Sequence, residues 1–481
     1  MRPITKRIFL TALTCPTLGW LMRQDQIHNT ITAADRFLIE QGQEIGKRAR
    51  ALYPEGTLIA TRDFESAVAA TPNLMNDPNT QTLFEPAFLT DDFATRADIL
   101  TRKPDGSWHM TEVKASTNDK AEFIDDMAYT TLVIERTGFN ISEISLLLIS
   151  KEYRLGMSPE NLFVELNHTE EVKTRIEEFK PICTELEELT RTPKKPEPEL
   201  RLQCRGCDLF NDCTGKGITN HIFDLPRLNQ VLFDALTAAG ILCIEDIPPG
   251  FSLTGNQNRV KLCVQSNKPQ IEAMLKPDLD VVSWPAYYLD FETVMTAIPL
   301  YPDLAPYAQL PTQYSIHKCS EPGHVTAHSE YLADPSRDCR LELAERLIAD
   351  LKGAGSIIVY TSFEKTIING LARLYPGLAA DLNLLIGRLV DLEAIIKKNF
   401  YHPGFHGRTS IKRTLPVLVP EMSYDGLDIG DGFTAMSVFA LMAFGKYEVD
   451  EAETLKKQLL VYCKQDTLAM VKLHEQLVAY V

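Results

Sequence analysis

The sequence carries acidic side chains at spacings suited to metal chemistry. Asp290 and Glu292 are two apart in Tyr287-Tyr288-Leu289-Asp290-Phe291-Glu292, a run of β-forming residues. Alternate side chains of a strand face the same side, so the two carboxylates project together. Tyr462 and Asp466 are four apart in Tyr462-Cys463-Lys464-Gln465-Asp466, the spacing of one helix face. Between these segments lies Val359-Tyr360-Thr361-Ser362-Phe363-Glu364, a strand pattern running into a helix. Asp290, Glu292, Glu364 and Asp466, gathered from three segments, suit two divalent cations about 4 Å apart, the arrangement for in-line displacement at phosphorus. Tyr462 would then orient the attacking water. Each piece alone is a common solvated feature, and their order carries the reading.

A second acidic set lies upstream. Asp98 is separated by 13 residues from Glu112-Val113-Lys114. Glu112 and Lys114 share a strand face, and a paired strand would bring Asp98 to them. Glu85 is a candidate further ligand. The acids suit Mg²⁺ or Mn²⁺, which activates water, and the lysine would position that water or stabilise charge on phosphate. Alone, a Glu-x-Lys strand is most often plain surface.

Three cysteines form a compact set, Cys204-x2-Cys207-x5-Cys213. Such thiolates suit zinc or an iron–sulfur cluster, but a fourth ligand is needed. Cys15 is the natural fourth. Cys183, Cys243, Cys263, Cys319, Cys339 and Cys463 are isolated and read as core or surface thiols.

The elements that must position these groups follow from patterning. Gln26 to Tyr53 reads as helical. Ala97-Asp98-Ile99-Leu100 is a short strand, residues 103–107 a turn, and Trp108 to Ala115 the next strand. Glu122 to Thr137 is a helix and Ile144 to Ile149 a buried strand. The proline-rich stretch 192–198 is a linker. A second α/β unit opens near Ser283, includes a strand at 356–360, and closes with a helix from about Glu451 to Val478. Gly353-Ala354-Gly355 precedes a strand and lacks the following helix of a phosphate loop, so it reads as a turn. The aromatic and basic run Phe400 to Arg408 reads as either a single-strand channel or an exposed loop.

With 481 residues, 44% hydrophobic and 24% charged, the chain is globular and long enough for two or three domains. A formal net charge of −16 argues against non-specific coating of nucleic acid, but leaves room for a local basic groove. The apolar run Ile8 to Leu13 is short for a signal peptide, and Thr14 is a poor cleavage residue before Cys15. No apolar stretch reaches the roughly 20 residues of a membrane span.

Several of these motifs carry a family resemblance. Asp98, then Glu112-x-Lys114, with a hairpin between and a helix after, resembles the RecB-type PD-(D/E)XK nucleases over roughly residues 10–215. Two departures stand out. Arg50 occupies the place of a metal-binding His of many relatives, and Asp126-Met127-Ala128-Tyr129-Thr130 does not reproduce their Gln-x-x-x-Tyr signature. Thr11 to Pro16 resembles the first-cysteine region of CRISPR adaptation nucleases and the AddB nuclease. That resemblance implies a four-iron–four-sulfur (4Fe–4S) cluster on Cys15, Cys204, Cys207 and Cys213, with zinc as the alternative. Asp290-x-Glu292, Glu364 and Tyr462-x3-Asp466 are similar to the DEDD exonucleases of the tyrosine subtype, which implies an RNase H-like fold. Glu364 stands where most DnaQ-type relatives carry Asp, which makes Asp391 a second-choice ligand. Val390-Asp391-Leu392, Ser410-Ile411-Lys412, Asp431-Gly432 and the final helix resemble a bacterial family of RNase H-like domains, many fused behind a cysteine-bearing RecB-like domain.

The expectation is thus an α/β chain in three parts. A RecB-like domain spans 1–215, a helical connector 216–280, and an RNase H-like exonuclease domain 281–481. The resemblance implies a cytoplasmic exonuclease using Mg²⁺ or Mn²⁺ on nucleic acid, on DNA before RNA, at single strands or ends, without a membrane partner. The rival is a non-catalytic nucleic-acid-binding or scaffold protein with a structural metal centre.

Overall fold

A computed structural model describes residues 2–27 and 31–481. The chain divides into two compact units, Met1–Glu199 with Met295–Ala308, and Leu200–Val294 with Gln309–Val481. Both are mixed α/β, the class expected.

The first unit is built on a six-stranded sheet in the order Thr57–Leu58, Thr82–Phe84, Ile99–Arg102, Trp108–Lys114, Ile141–Ile149, Phe163–Asn167. Ile99–Arg102 and Trp108–Lys114 form an antiparallel hairpin whose turn uses Gly106 at φ +85°. Trp108–Lys114 and Ile141–Ile149 run parallel, which requires a crossover, and helix Ala121–Arg136 supplies it. Ile8, Phe9 and Ala12 of helix Lys6–Thr14 are buried, with the Phe9 ring 5.1 Å from that of Tyr129 and 4.9 Å from that of Phe179. The helix expected over 26–53 is Ala33–Arg50, started by a capping box between Thr32 and Asp35. Residues 28–30 of that expectation lie outside the described residues.

The second unit has a five-stranded sheet in the order His324–Leu332, Leu310–Glu321, Ala286–Val294, Ile357–Val359, Leu389–Asp391. The first three strands are antiparallel and the last two run parallel to Ala286–Val294. Helix Val449–Ala479 packs on the sheet, where Gln313 Nε2 donates to Leu459 O at 2.9 Å.

Phe233 of helix Gln230–Ala238 and Val260 of helix Gly255–Ser266 share one core with Tyr288, Ile358 and Leu473. Two helices of nine and twelve residues cannot enclose a core of their own. Cys204, Cys207 and Cys213 lie in the second compact unit, which begins at Leu200. Met295–Ala308 returns to the first unit, where Gln41 Oε1 accepts from Ala297 N and Ala115 O accepts from Tyr307 OH, each at 2.5 Å. No described helix is long and apolar enough to cross a membrane.

Candidate metal centre and active site

In the second unit, strand Ala286–Val294 presents Asp290 and Glu292 on one face, as alternation requires. Helix Val449–Ala479 buries Tyr462 and Asp466 four residues apart. Carboxylate oxygens of Asp290, Glu292 and Asp466 all lie within 4.8 Å of one another. Glu364, in the first turn of helix Phe363–Leu374, stands outside that tight group, yet its charge is felt at both Asp290 and Glu292. It is 2% exposed, and its Oε2 has no hydrogen-bond partner. Asp391 caps helix Leu392–Asn399 through Ala394 N, and its charge is felt at Glu364.

Burial and mutual repulsion shape these acids. Burial, then the charges of Asp466 and Glu292, hold Asp290 well above the usual carboxylate range. Glu292 is raised the same way by burial and Asp466, while Lys412 pulls against the shift. Burial lifts Asp466 to about 6, against hydrogen bonds from Tyr424 and Tyr462. Burial and Asp391 lift Glu364 to about 8. Two carboxylates about 4 Å apart repel by about 4 kcal/mol at an effective dielectric near 20. Lys412, the nearby cation, donates to Gly430 O at 2.7 Å and sits 5.3 and 5.4 Å from the rings of Tyr424 and Tyr462. A β-carbon at Gly432 would lie 3.7 Å from Glu292 Oε2 and 3.8 Å from the Tyr462 hydroxyl, so helix Gly432–Ala443 begins against the site. Oxygen-only donors suit hard Mg²⁺ or Mn²⁺. Such ions would relieve the repulsion and offer the orphaned Glu364 oxygen a partner. The residues fit the metal.

The first unit brings its acids together but balances them internally. Ile99 pairs with Thr111, which sets Asp98 opposite Glu112. Val113 N donates to Asp98 Oδ2 at 2.7 Å. Glu112 and Lys114 do share a face, with Lys114 Nζ 2.9 Å from Glu112 Oε1. Lys6 Nζ donates to the same oxygen at 2.7 Å, and Lys114 also pairs with Asp126. Burial works against the Glu112 charge, but Lys6 and Lys114 hold it down to about 2. Burial and the Glu112 charge push Asp98 up to about 7. Glu85, at φ +59°, pairs with Arg50 at 3.3 Å. Here the donor set does not fit a divalent cation. Two ammonium groups occupy Glu112, a guanidinium holds Glu85, and Asp98, raised to about 7, is only about half ionised at neutral pH. Among the described residues, only Asp290, Glu292 and Asp466 form a group of three or more such ligand atoms that close together.

The cysteine segment folds as short 3-10 turns, Leu202–Gly206 and Phe210–Asp212, and Arg201 N donates to Cys204 Sγ at 3.4 Å. The thiols of Cys204, Cys207 and Cys213 do not all gather within 4.8 Å, and Cys15 belongs to the other compact unit. Of the isolated cysteines, Cys183, Cys263, Cys319, Cys339 and Cys463 are buried and Cys243 is half-buried. Cys463 Sγ sits 3.7 Å from Asp290 Oδ2.

Sequence reasoning missed Lys6 and Tyr424. Lys6 reaches Glu112 across 106 residues, and Tyr424 donates to Asp466 across 42, from a loop without periodicity. Neither position carries a local signal.

The profile of a family described as a domain of unknown function, DUF2779, matches residues 287–410. That range holds Asp290, Glu292, Glu364 and Asp391 but stops short of Tyr424, Tyr462 and Asp466. No curated protein matches the chain.

Proposed function

We propose that the chain is a metal-dependent nuclease whose working site is the acidic cluster of the second unit. The observation that carries this is the gathering of Asp290, Glu292 and Asp466 oxygens within 4.8 Å of one another, with Asp466 buried and Asp290 and Glu292 half-buried. These three would hold Mg²⁺ or Mn²⁺, with Glu364 offering a further oxygen. Cations bound there would offset the charge of a phosphodiester and lower the pKa of attacking water. Tyr462 would position that water from beside Asp466, and Lys412 would add positive charge facing the substrate. The strand order, three antiparallel and two parallel, supports an RNase H-like reading of this unit. The hairpin, crossover helix and parallel strand of the first support its RecB-like reading.

Substrate preference, DNA before RNA and single strands or ends before duplex, follows from the resemblance. The ion-paired acids of the first unit favour binding without catalysis in that half. The cysteine proposal keeps its motive, the spacing of Cys15, Cys204, Cys207 and Cys213. Anaerobically purified protein should contain iron and sulfide; one zinc and no colour would replace the 4Fe–4S assignment.

The test of function uses the full chain on end-labelled single- and double-stranded DNA and RNA, with Mn²⁺ or EDTA. Stepwise shortening that needs Mn²⁺ and disappears in Asp290→Asn is expected. No cleavage of any substrate with Mn²⁺ would leave the scaffold reading in its place.

A further inference from the structure

A groove of about 1290 Å³ opens in the second unit between residues 226–235, residues 250–260 and the segment carrying Lys397, Tyr401, Gly407 and Thr409. It exceeds the usual small-ligand pocket of roughly 300–1,000 Å³. Its charge runs against that of the chain. The protein has 65 Asp and Glu against 49 Lys and Arg, yet the groove wall contains Arg227, Arg259 and Lys397 and no acid. Lys397 is partly neutralised by Glu393 at 2.7 Å, whereas Arg227 is exposed.

Arg259 is the most informative residue. Its Nη1 donates to Lys397 O at 2.8 Å and to Lys398 O at 3.2 Å. Those two bonds fix the guanidinium plane. Its Nε and Nη2 are buried without a hydrogen-bond partner. An unsatisfied buried donor costs about 1–3 kcal/mol. The guanidinium charge thus stands at the groove wall, with its Nε–Nη2 edge closed to solvent. The wall also includes Thr254, Gly255 and Asn256, where helix Gly255–Ser266 begins, and a helix start favours an anion. Phe251 and the exposed Val231 supply apolar surface beside these polar groups.

The groove adjoins the acidic site along the chain. Gly407 and Thr409 line it, and Lys412, three residues further on, lies over the rings of Tyr424 and Tyr462. The run Phe400 to Arg408, open in sequence between channel and loop, contributes Tyr401 and Gly407 to the wall.

We infer that this groove binds the phosphate backbone of a single-stranded nucleic acid, with Arg227, Arg259 and Lys397 supplying the positive charge of its wall, and that segment 407–412 leads the strand to the carboxylates. The choice of polymer rests on the nuclease reading; the anion site rests on Arg259 and the sign of the wall.

The test measures fluorescence anisotropy of a fluorescein-labelled oligodeoxythymidylate on full-length Asp290→Asn protein in EDTA, across a salt series. Arg227→Glu and Arg259→Gln are added singly, with melting temperature as the fold control. Arg227 is exposed, so its replacement leaves the core untouched. Each variant should weaken binding at least about tenfold and reduce the salt slope by at least roughly 0.7. Lys472→Gln, at a surface pair with Glu475, should bind as the parent does. If the wild-type chain cuts the oligonucleotide but neither groove variant changes binding, the groove assignment is wrong and the nuclease reading stands. If the groove variants weaken binding but the wild type never cuts, the groove stands and the nuclease reading falls. A parent that neither binds nor cuts overturns both.

Discussion

Asp466 accepts hydrogen bonds from two phenols, Tyr424 and Tyr462, and it shares its surroundings with Asp290 and Glu292. Outer partners of this kind orient a ligand, and their loss typically costs 10–100-fold in metal affinity or activity. Tyr424→Phe should therefore weaken Mn²⁺ binding about tenfold or more, read by Mn²⁺ titration. Tyr462→Phe, which removes the other phenol from Asp466, should weaken Mn²⁺ binding likewise and, on the proposed role of its hydroxyl toward water, also lower kcat at saturating Mn²⁺. Asp290 tests the repulsion directly. In Asp290→Asn, one like charge leaves a crowded, buried group, so the metal-free protein should melt higher, by about 2–4 °C per kcal/mol relieved. The same variant should lose the Mn²⁺-induced rise in melting temperature seen in the parent. A drop in metal-free stability with Mn²⁺ protection intact would contradict the charge argument.

Helix Val449–Ala479 is the element on which the second site depends. Its 31 residues bury Tyr462, Asp466, Thr467 and His474 along one face. Thr467 Oγ1 meets Ser315 and His317, and His474 Nδ1 lies 2.8 Å from the Tyr288 hydroxyl. The docking is thus partly polar and pH-dependent. Burial pushes His474 down to about 4 from its ordinary 6.5. Between those values the unfolded chain takes up a proton and the native chain does not. Stability is therefore full above pH ~6.5 and falls as pH drops through this window, by up to about 1.4 kcal/mol per pH unit for one group. His474→Phe should flatten that acid limb, read from urea midpoints between about pH 4.5 and 7. An unchanged limb would assign the acid sensitivity to other groups, of which His317, also pushed to about 4, is the next candidate.

At the scale of the molecule, two acidic sites of similar composition carry opposite charge balance. In the first unit Lys6, Lys114 and Arg50 compensate Glu112, Asp126 and Glu85. In the second, Lys412 stands against four carboxylates. On this balance the proposed divalent cations are assigned to the second. Glu112→Gln should leave Mn²⁺-dependent cleavage within about twofold, whereas Asp466→Asn should cost at least about a hundredfold, or about 2.7 kcal/mol of barrier. In an Asp290→Asn background, Mn²⁺ resonance spectra should show no tightly held ion. Adding Lys6→Ala should remove one of the two ammonium groups on Glu112 Oε1 and create a weak site.

Much of this was legible in the sequence, for a local reason. Alternation along a strand put Asp290 beside Glu292 and Glu112 beside Lys114, and helical spacing put Tyr462 with Asp466; each depends only on the backbone's own period. The α/β class followed from the same patterning. What the tertiary structure alone decided is non-local. It brought Lys6 onto Glu112 and Tyr424 onto Asp466, set Arg50 against Glu85, and joined Phe233 and Val260 to one core with Tyr288, Ile358 and Leu473. None of these has a period or motif, because each is fixed by how distant elements pack. That packing also separates the two acidic sets chemically. The sequence lists similar residues for both, but charge compensation depends on which cations fold within reach of which acids.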